Sequence, residues 1–250
     1  IWRDGVQCPF EQAGAYRINA NGEAEDVNET YFTHRNGKPV DLEADYMAPF
    51  FNRVADGIRE IKSDWMVFAE LDPFRGLSGE GFPEGSPDNT VNASHWYDIV
   101  TLVTKVFMYP TAINPFNGRV IEGPEAIQAQ YVEQLDLIKQ AARTLNGGKG
   151  APTLIGEFGI PYDLDQAAAY KAWAAGDHSE KPWEMHKISL DLMYNAMDAL
   201  LLSTAHWNYT ASNSNDQAIG DGWNQEDLSI FSRDQQDNPL DKDSGGRGLK

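Results

Sequence analysis

The chain has 250 residues, 41% hydrophobic and 11% aromatic, enough to bury a sizeable core in one or two domains. A formal charge of −18 and a pI near 4.5 exclude nucleic acid and anionic membrane surfaces as partners, because binding a polyanion takes concentrated lysine and arginine; a neutral ligand fits better. The single cysteine, Cys8, can form no intrachain disulfide and has no companion thiol for a zinc site, and no apolar run approaches the roughly 20 residues of a membrane span.

Residues 1–42 are polar with aromatic punctuation, and Asn21-Gly22 and Asn36-Gly37 each mark a possible hairpin turn. From Glu43 to Ile61, Phe50, Val54, Ile58 and Ile61 recur at spacings of three and four, which predicts an amphipathic helix with Pro49 tolerated only in its first turn. Trp65–Glu70 reads as a strand. Residues 71–92 carry Gly76, Gly79, Gly81, Pro83, Gly85 and Pro87, a loop long enough to belong to a binding surface, and lead to a brief strand-like segment, Ala93–Asp98. After Ile99–Phe107, a helix from Gly123 to Leu145 places Ile127, Tyr131, Leu135, Ile138, Ala142 and Leu145 on one face and stops at Asn146-Gly147-Gly148. A strand at Thr153–Phe158 follows, then an alanine-rich helix near Gln166–Ala175. A third long helix, Lys181–Leu202, buries Ile188, Leu192, Ala196 and Leu200, and a short strand, Ser203–Tyr209, ends in aromatics. This alternation is that of an α/β fold with parallel strands.

Glu157 is the residue to explain. It sits at the C-terminal end of a short apolar, β-branched strand closed off by Gly159 and Pro161, where an ionised carboxylate is costly unless paired or used. A glutamate hydrogen-bonded to a neighbouring loop or paired with an arginine is an equally good account of Glu157 taken alone. Its company shifts the balance: Glu70, His95, Tyr97 and Trp207 end the other strands, and in a parallel barrel all such ends face one mouth. Seven tryptophans add a weak hint of sugar stacking.

The Ile-Gly-Glu-Phe-Gly run at 155–159, the His-x-Tyr at 95–97 and Trp207 resemble the last four strands of a glycoside hydrolase family 5 barrel. Val67–Glu70, Gly156–Gly159 and His206–Tyr209 followed by Gly220–Ser229 are most similar to the endoglycoceramidase-related branch. The resemblance covers about residues 45–250. It implies a retaining β-glycosidase on a (β/α)8 TIM barrel, acting on a glycolipid or β-glucan-like substrate with neither metal nor cofactor, and an extracellular or periplasmic location. By the same resemblance Glu157 is the nucleophile, Tyr97 steadies it, His95 lines the sugar subsite and Trp207 is a stacking platform. Glu70 is a candidate to touch a substrate hydroxyl or to support a neighbour. Against these roles stand a structural histidine bonded to a backbone carbonyl and a tryptophan of the core.

The acid/base is the departure from the family pattern. It belongs in an Asn-Glu pair at the end of the fourth strand, and the one Asn-Glu here, Asn28-Glu29, follows no apolar strand. The chain is therefore expected to hold strands five to eight, residues 43–250, with residues 1–42 as the long loop after strand four and the acid/base upstream of Ile1. The alternative from another class is a non-catalytic carbohydrate-binding relative that keeps the aromatic cleft. The three sequons, at Asn28, Asn92 and Asn208, read as chance. Nothing in the sequence fixes an oligomeric state.

Overall fold

The computed structural model describes residues 3, 5–223, 225–236, 238 and 245–247. Of the segments singled out above, Gly220–Ser229 has one residue, Asn224, outside the described residues. The chain divides into two compact units, Ile1–Phe50 and Phe51–Lys250, so the division falls eight residues later than the pattern change at Glu43.

In the first unit, a helical turn α1 (Pro9–Gln12) precedes two antiparallel hairpins, β1 (Tyr16–Ile18) with β2 (Ala24–Asp26) and β3 (His34–Arg35) with β4 (Lys38–Pro39). Both expected Asn-Gly turns are present. Asn36 and Gly37 have φ of 52° and 75°, the paired left-handed residues of a two-residue hairpin loop. What reads in the sequence as one long loop is therefore locally structured, and Phe10, Tyr31 and Phe32 form a small edge-to-face aromatic cluster within it.

Helix α2 (Ala48–Ile61) is entered through one π-helical turn, Glu43–Met47, in which the Ala48 amide donates five residues back to Glu43. Pro49 thus falls in the first α-helical turn, as the sequence requires. The buried face differs from the expected one: Ala48, Phe51 and Ala55 are buried, whereas Phe50, Val54 and Ile61 are exposed. Both faces are apolar in sequence. In the second unit the small Ala55 and the contact of Phe51 with Phe82, ring centroids 6.4 Å apart, decide which turns inward.

The second unit is built on four strands, β5 (Val67–Ala69), β6 (Thr90–Asn92), β9 (Leu154–Phe158) and β10 (Ser203–His206). β5 pairs with β6 and β9 with β10, both parallel, and a parallel bridge from Asn92 to Thr153 joins the two pairs. The second of the expected strands is displaced. The ladder residues are Thr90–Asn92 inside the glycine-rich stretch, and Ala93–Asp98 continues from them as extended chain. Even so, the extension keeps pairing with β9, the Gly156 amide donating to Ser94 and the Trp96 amide to Glu157. Between the strands lie α3 (Pro73–Leu77), α4 (Ile99–Thr104, capped by the Asp98 carboxylate) and an antiparallel hairpin that the sequence reading missed, β7 (Thr111–Ile113) with β8 (Val120–Glu122). They are followed by α5 (Pro124–Ala141), α6 (Leu164–Ala174) and α7 (Glu184–Ala199).

The core lies between β9, β10 and helices α5 and α7. All six residues expected on the inner face of the α5 segment are buried, each worth about 1–3 kcal/mol relative to exposure. Parallel strands are ordinarily covered on both faces, yet β5 alternates buried Val67 and Ala69 with Phe68, which is 55% exposed. The layer is thus open at Phe68, whereas β6 beside it is buried throughout.

Candidate active site

Strand β9 delivers Glu157 to the C-terminal edge of the parallel layer, and the extended segment after β6 delivers His95 and Tyr97 beside it. The two glycines around Glu157 make this approach possible. A Cβ on Gly156 would stand 2.4 Å from the Ala93 carbonyl oxygen and 3.0 Å from the His95 ring, and one on Gly159 would stand 2.3 Å from the Trp207 carbonyl oxygen. The Gly-Glu-Phe-Gly pattern is thus a packing requirement: the neighbouring backbones lie where side chains would be.

The Tyr97 hydroxyl donates to Glu157 Oε2 over 2.9 Å. Nδ1 of His95 lies 3.4 Å from the same oxygen and 3.1 Å from Glu70 Oε1, between the two carboxylates. Burial pushes the Glu70 carboxyl up, His95 pulls it down and Glu157 pushes it up again, with a net rise. Burial and then the charge of Glu157 hold the Tyr97 hydroxyl protonated far beyond its ordinary range, so it remains a donor. Glu157 and His95 keep 28% of their side-chain surface and Glu70 keeps 43%, which makes this an open cleft rather than a sealed ion pair.

Trp207 follows β10 directly. Its amide donates to the Phe158 carbonyl over 2.8 Å, it is half-buried, and its ring meets Trp223 edge-on at 6.4 Å between centroids. Next to it, Asn208 donates through Nδ2 to Asp221 and through its amide to Leu228, and receives the Ile230 amide. Behind the platform, His206 accepts or donates at Nδ1 with the Tyr194 hydroxyl at 2.9 Å, and burial pushes its pKa down to about 4.

All five sequence-derived candidates therefore sit at strand ends on one edge of the layer, and four of them form one hydrogen-bonded or ion-paired cluster. Glu29 lies exposed in a turn of the first unit. The sequence reading missed Glu226. Its carboxyl is raised, first by burial and then by Asp221, and its charge acts on Tyr97. It also passed over Trp223, although both residues lie in the Gly220–Ser229 stretch already singled out. Among the described residues there is no cluster of His, Cys, Asp and Glu able to hold a metal, and no helix is long and apolar enough to cross a membrane.

The chain is 32% identical over 239 residues to a glucosylceramidase of Cryptococcus neoformans var. grubii, an alignment covering 90% of this chain and 30% of that protein. It is 30% identical over 167 residues to an ergosteryl-beta-glucosidase of Saccharomyces cerevisiae, covering 63% of this chain and 20% of that one. The crystal structure of Cryptococcus neoformans sterylglucosidase 1 with tris superposes with a TM-score of 0.78 at 26% identity, covering 96% of this chain and 34% of that one. No family model matches the chain. The chain thus spans about a third of the length of these Cryptococcus relatives, as a partial barrel does. The resemblance read from its strand ends holds: its homologues are fungal glucosylceramidases and sterylglucosidases of glycoside hydrolase family 5.

Proposed function

We propose that the complete protein hydrolyses the β-glucosidic bond of a glucosylated lipid with retention of anomeric configuration, Glu157 being the nucleophile. The observation that carries this reading is that both neighbours of Glu157 crowd one of its two oxygens, Tyr97 as a donor and His95 at 3.4 Å. Tyr97 and His95 both address Oε2, and no hydrogen bond to Oε1 is found among the described residues, which leaves that oxygen for the anomeric carbon. In such a reaction the ionised carboxylate displaces the lipid alcohol and forms a glycosyl-enzyme bond, which water then opens. A second carboxylate about 5 Å away protonates the departing oxygen and later deprotonates the water. We assign that group to the fourth strand of the barrel, with β5, β6, β9 and β10 as strands five to eight and residues 1–42 as the connection after strand four. Trp207 and Trp223 then offer apolar faces to the sugar, while His95, Glu70 and Glu226 offer partners for its hydroxyls.

The test is Glu157→Gly in the full-length protein. It should lower turnover of an activated aryl β-glucoside on the order of 10³-fold or more. Added azide should restore activity by attacking from the vacated side, giving the α-glucosyl azide. Undiminished hydrolysis by the variant would remove Glu157 from the role. A full-length wild type that binds but never cleaves such glucosides would favour the non-catalytic relative.

A further inference from the structure

Glu70 follows β5 directly, and its main chain is fixed on both sides. The Ala69 carbonyl accepts the Ala93 amide at 2.8 Å and the Leu71 amide donates to the Ser94 hydroxyl at 3.0 Å, with Ala69 and Leu71 themselves buried. The segment that these bonds hold, Ala93–Ser94, runs directly into His95. Glu70 therefore meets His95 from a rigid mount, Oε1 standing 3.1 Å from Nδ1, and the His95 main-chain amide also favours its charged form. The imidazole is confined on a second side, where it lies on the backbone of β9. A Cβ on Gly156 would meet its Cδ2 at 3.0 Å and its Nε2 at 3.2 Å.

This is a poor arrangement for an ion pair that serves only stability. Among the described residues no lysine or arginine pairs with Glu70, and its other charged neighbours, Glu157 and Asp72, share its sign. Like charges so placed oppose one another, so the fold alone does not account for an acid at this position.

Resting on the reading above, we infer that Glu70 is a positioning residue for the nucleophile, acting through His95. An ionised carboxylate can only accept, so beside Glu70 the imidazole proton belongs on Nδ1, the atom that stands 3.4 Å from Glu157 Oε2. With the Tyr97 hydroxyl on the same oxygen, Glu157 is held against rotation about its last side-chain bond, which keeps Oε1 turned to the anomeric carbon. Without Glu70 the ring loses its nearer acceptor and is free to turn away from Oε2. This role is separate from a bond between Glu70 and a sugar hydroxyl, and the two combine differently with the loss of His95.

A double-mutant cycle in the full-length protein tests it: Glu70→Ala, His95→Ala and both together, assayed on β-glucosyl fluoride, whose leaving group needs little help from an acid. Glu70→Ala should lower kcat about 10- to 100-fold and leave KM within about two-fold, because the nucleophile is misaligned while binding is untouched. Glu70→Gln, which keeps an acceptor for Nδ1, should recover much of that loss. In the His95→Ala background, Glu70→Ala should cost no more than about two-fold further. Losses that multiply in the double variant would leave Glu70 a direct partner of the sugar and overturn the inference, as would an effect confined to KM or a Glu70→Gln variant no better than Glu70→Ala. Failure of the underlying reading shows elsewhere: a wild type that cleaves no glucoside, or a Glu157→Gly variant that still turns over β-glucosyl fluoride, removes the nucleophile on which the role of Glu70 depends, and the inference falls with it.

Discussion

Of the carboxylates that accept a hydrogen bond from a tyrosine, Glu157 and Asp227 are otherwise unalike. Glu157 takes the Tyr97 hydroxyl at 2.9 Å in a half-exposed cleft whose other charged neighbour, Glu70, has the same sign. Asp227 takes the Tyr170 hydroxyl at 2.5 Å in a buried cluster. There Arg247, fully buried, pairs with Asp227 at 2.5 Å and spends its remaining donors on Gln235, Asn215 and the Ser229 carbonyl. Asn213 adds a further bond to Asp227, and the guanidinium lies 5.4 Å and 5.0 Å from the ring centroids of Tyr162 and Tyr170. A tyrosine–carboxylate contact therefore does not identify a reactive acid. What separates the two is whether a cation cancels the charge and whether the remaining lone pairs are already taken.

The sharpest way to break the comparison is to exchange the consequences. Arg247→Met should destabilise the protein by about 3–5 kcal/mol, since it strands a buried carboxylate, and urea unfolding monitored by tryptophan fluorescence would show it. Glu157→Gly removes a half-exposed side chain beside a like charge, and should leave the urea midpoint close to that of the wild type while abolishing turnover. If Glu157→Gly unfolds the protein as readily as Arg247→Met, the open cluster is structural after all. The buried cluster also bears on the cleft: Asp227 is followed by Leu228, whose carbonyl receives the Asn208 amide, so Arg247 holds the segment against which the Trp207 platform is seated.

A smaller effect sharpens the comparison from the cleft side. Tyr97→Phe keeps the ring and removes only the donor to Glu157. Loss of one hydrogen bond to a charged group is worth about 1.5–3 kcal/mol, so kcat should fall roughly 10- to 100-fold. The same substitution at Tyr170 should leave kcat near wild type and appear only as a lower urea midpoint. Equal kinetic loss in both variants would mean that the two tyrosines act through the fold alone.

The cleft was legible in the sequence because its residues mark the ends of strands, and strand ends of a parallel layer share one edge. Glu157, Tyr97, His95, Glu70 and Trp207 needed no knowledge of distances to be grouped. The α5 face was legible for an equally local reason, a sustained period of three and four. The Arg247 cluster had no such signal, since its members come from positions 170, 213, 215, 227, 235 and 247 and only the folded chain brings them together. Strand β6 was misplaced because its three residues sit inside a glycine- and proline-rich stretch. Asn92, an unpromising strand residue, is completely buried there through bonds to the Ile138 carbonyl and the Thr153 hydroxyl. The same burial removes Asn92 as a glycan acceptor in the folded protein.

His186 completes the series as a titratable group buried with no counter-charge at all. Its ring stacks on Tyr162 at 5.6 Å, Nε2 faces the Tyr162 carbonyl at 3.0 Å, and Nδ1 has no partner among the described residues. Nε2 therefore carries the proton of a neutral imidazole. Burial, reinforced by the positive charge of Arg247, pushes the pKa from the ordinary 6.5 down to about 4. Between those values the unfolded chain binds a proton that the folded chain refuses, so stability rises with pH in that window. The contribution is complete above pH 6.5 and is lost as the pH falls toward 4, at about 1.4 kcal/mol per pH unit and roughly 3 kcal/mol in all. His186→Gln can still donate to the Tyr162 carbonyl but cannot take up a proton. Unfolding midpoints measured at intervals from pH 7 to pH 4.5 should therefore fall less steeply in the variant than in the wild type, by the slope of one proton. Parallel curves would show that His186 is protonated in the folded protein, and that Arg247 does not exclude a second cation from its side of the core.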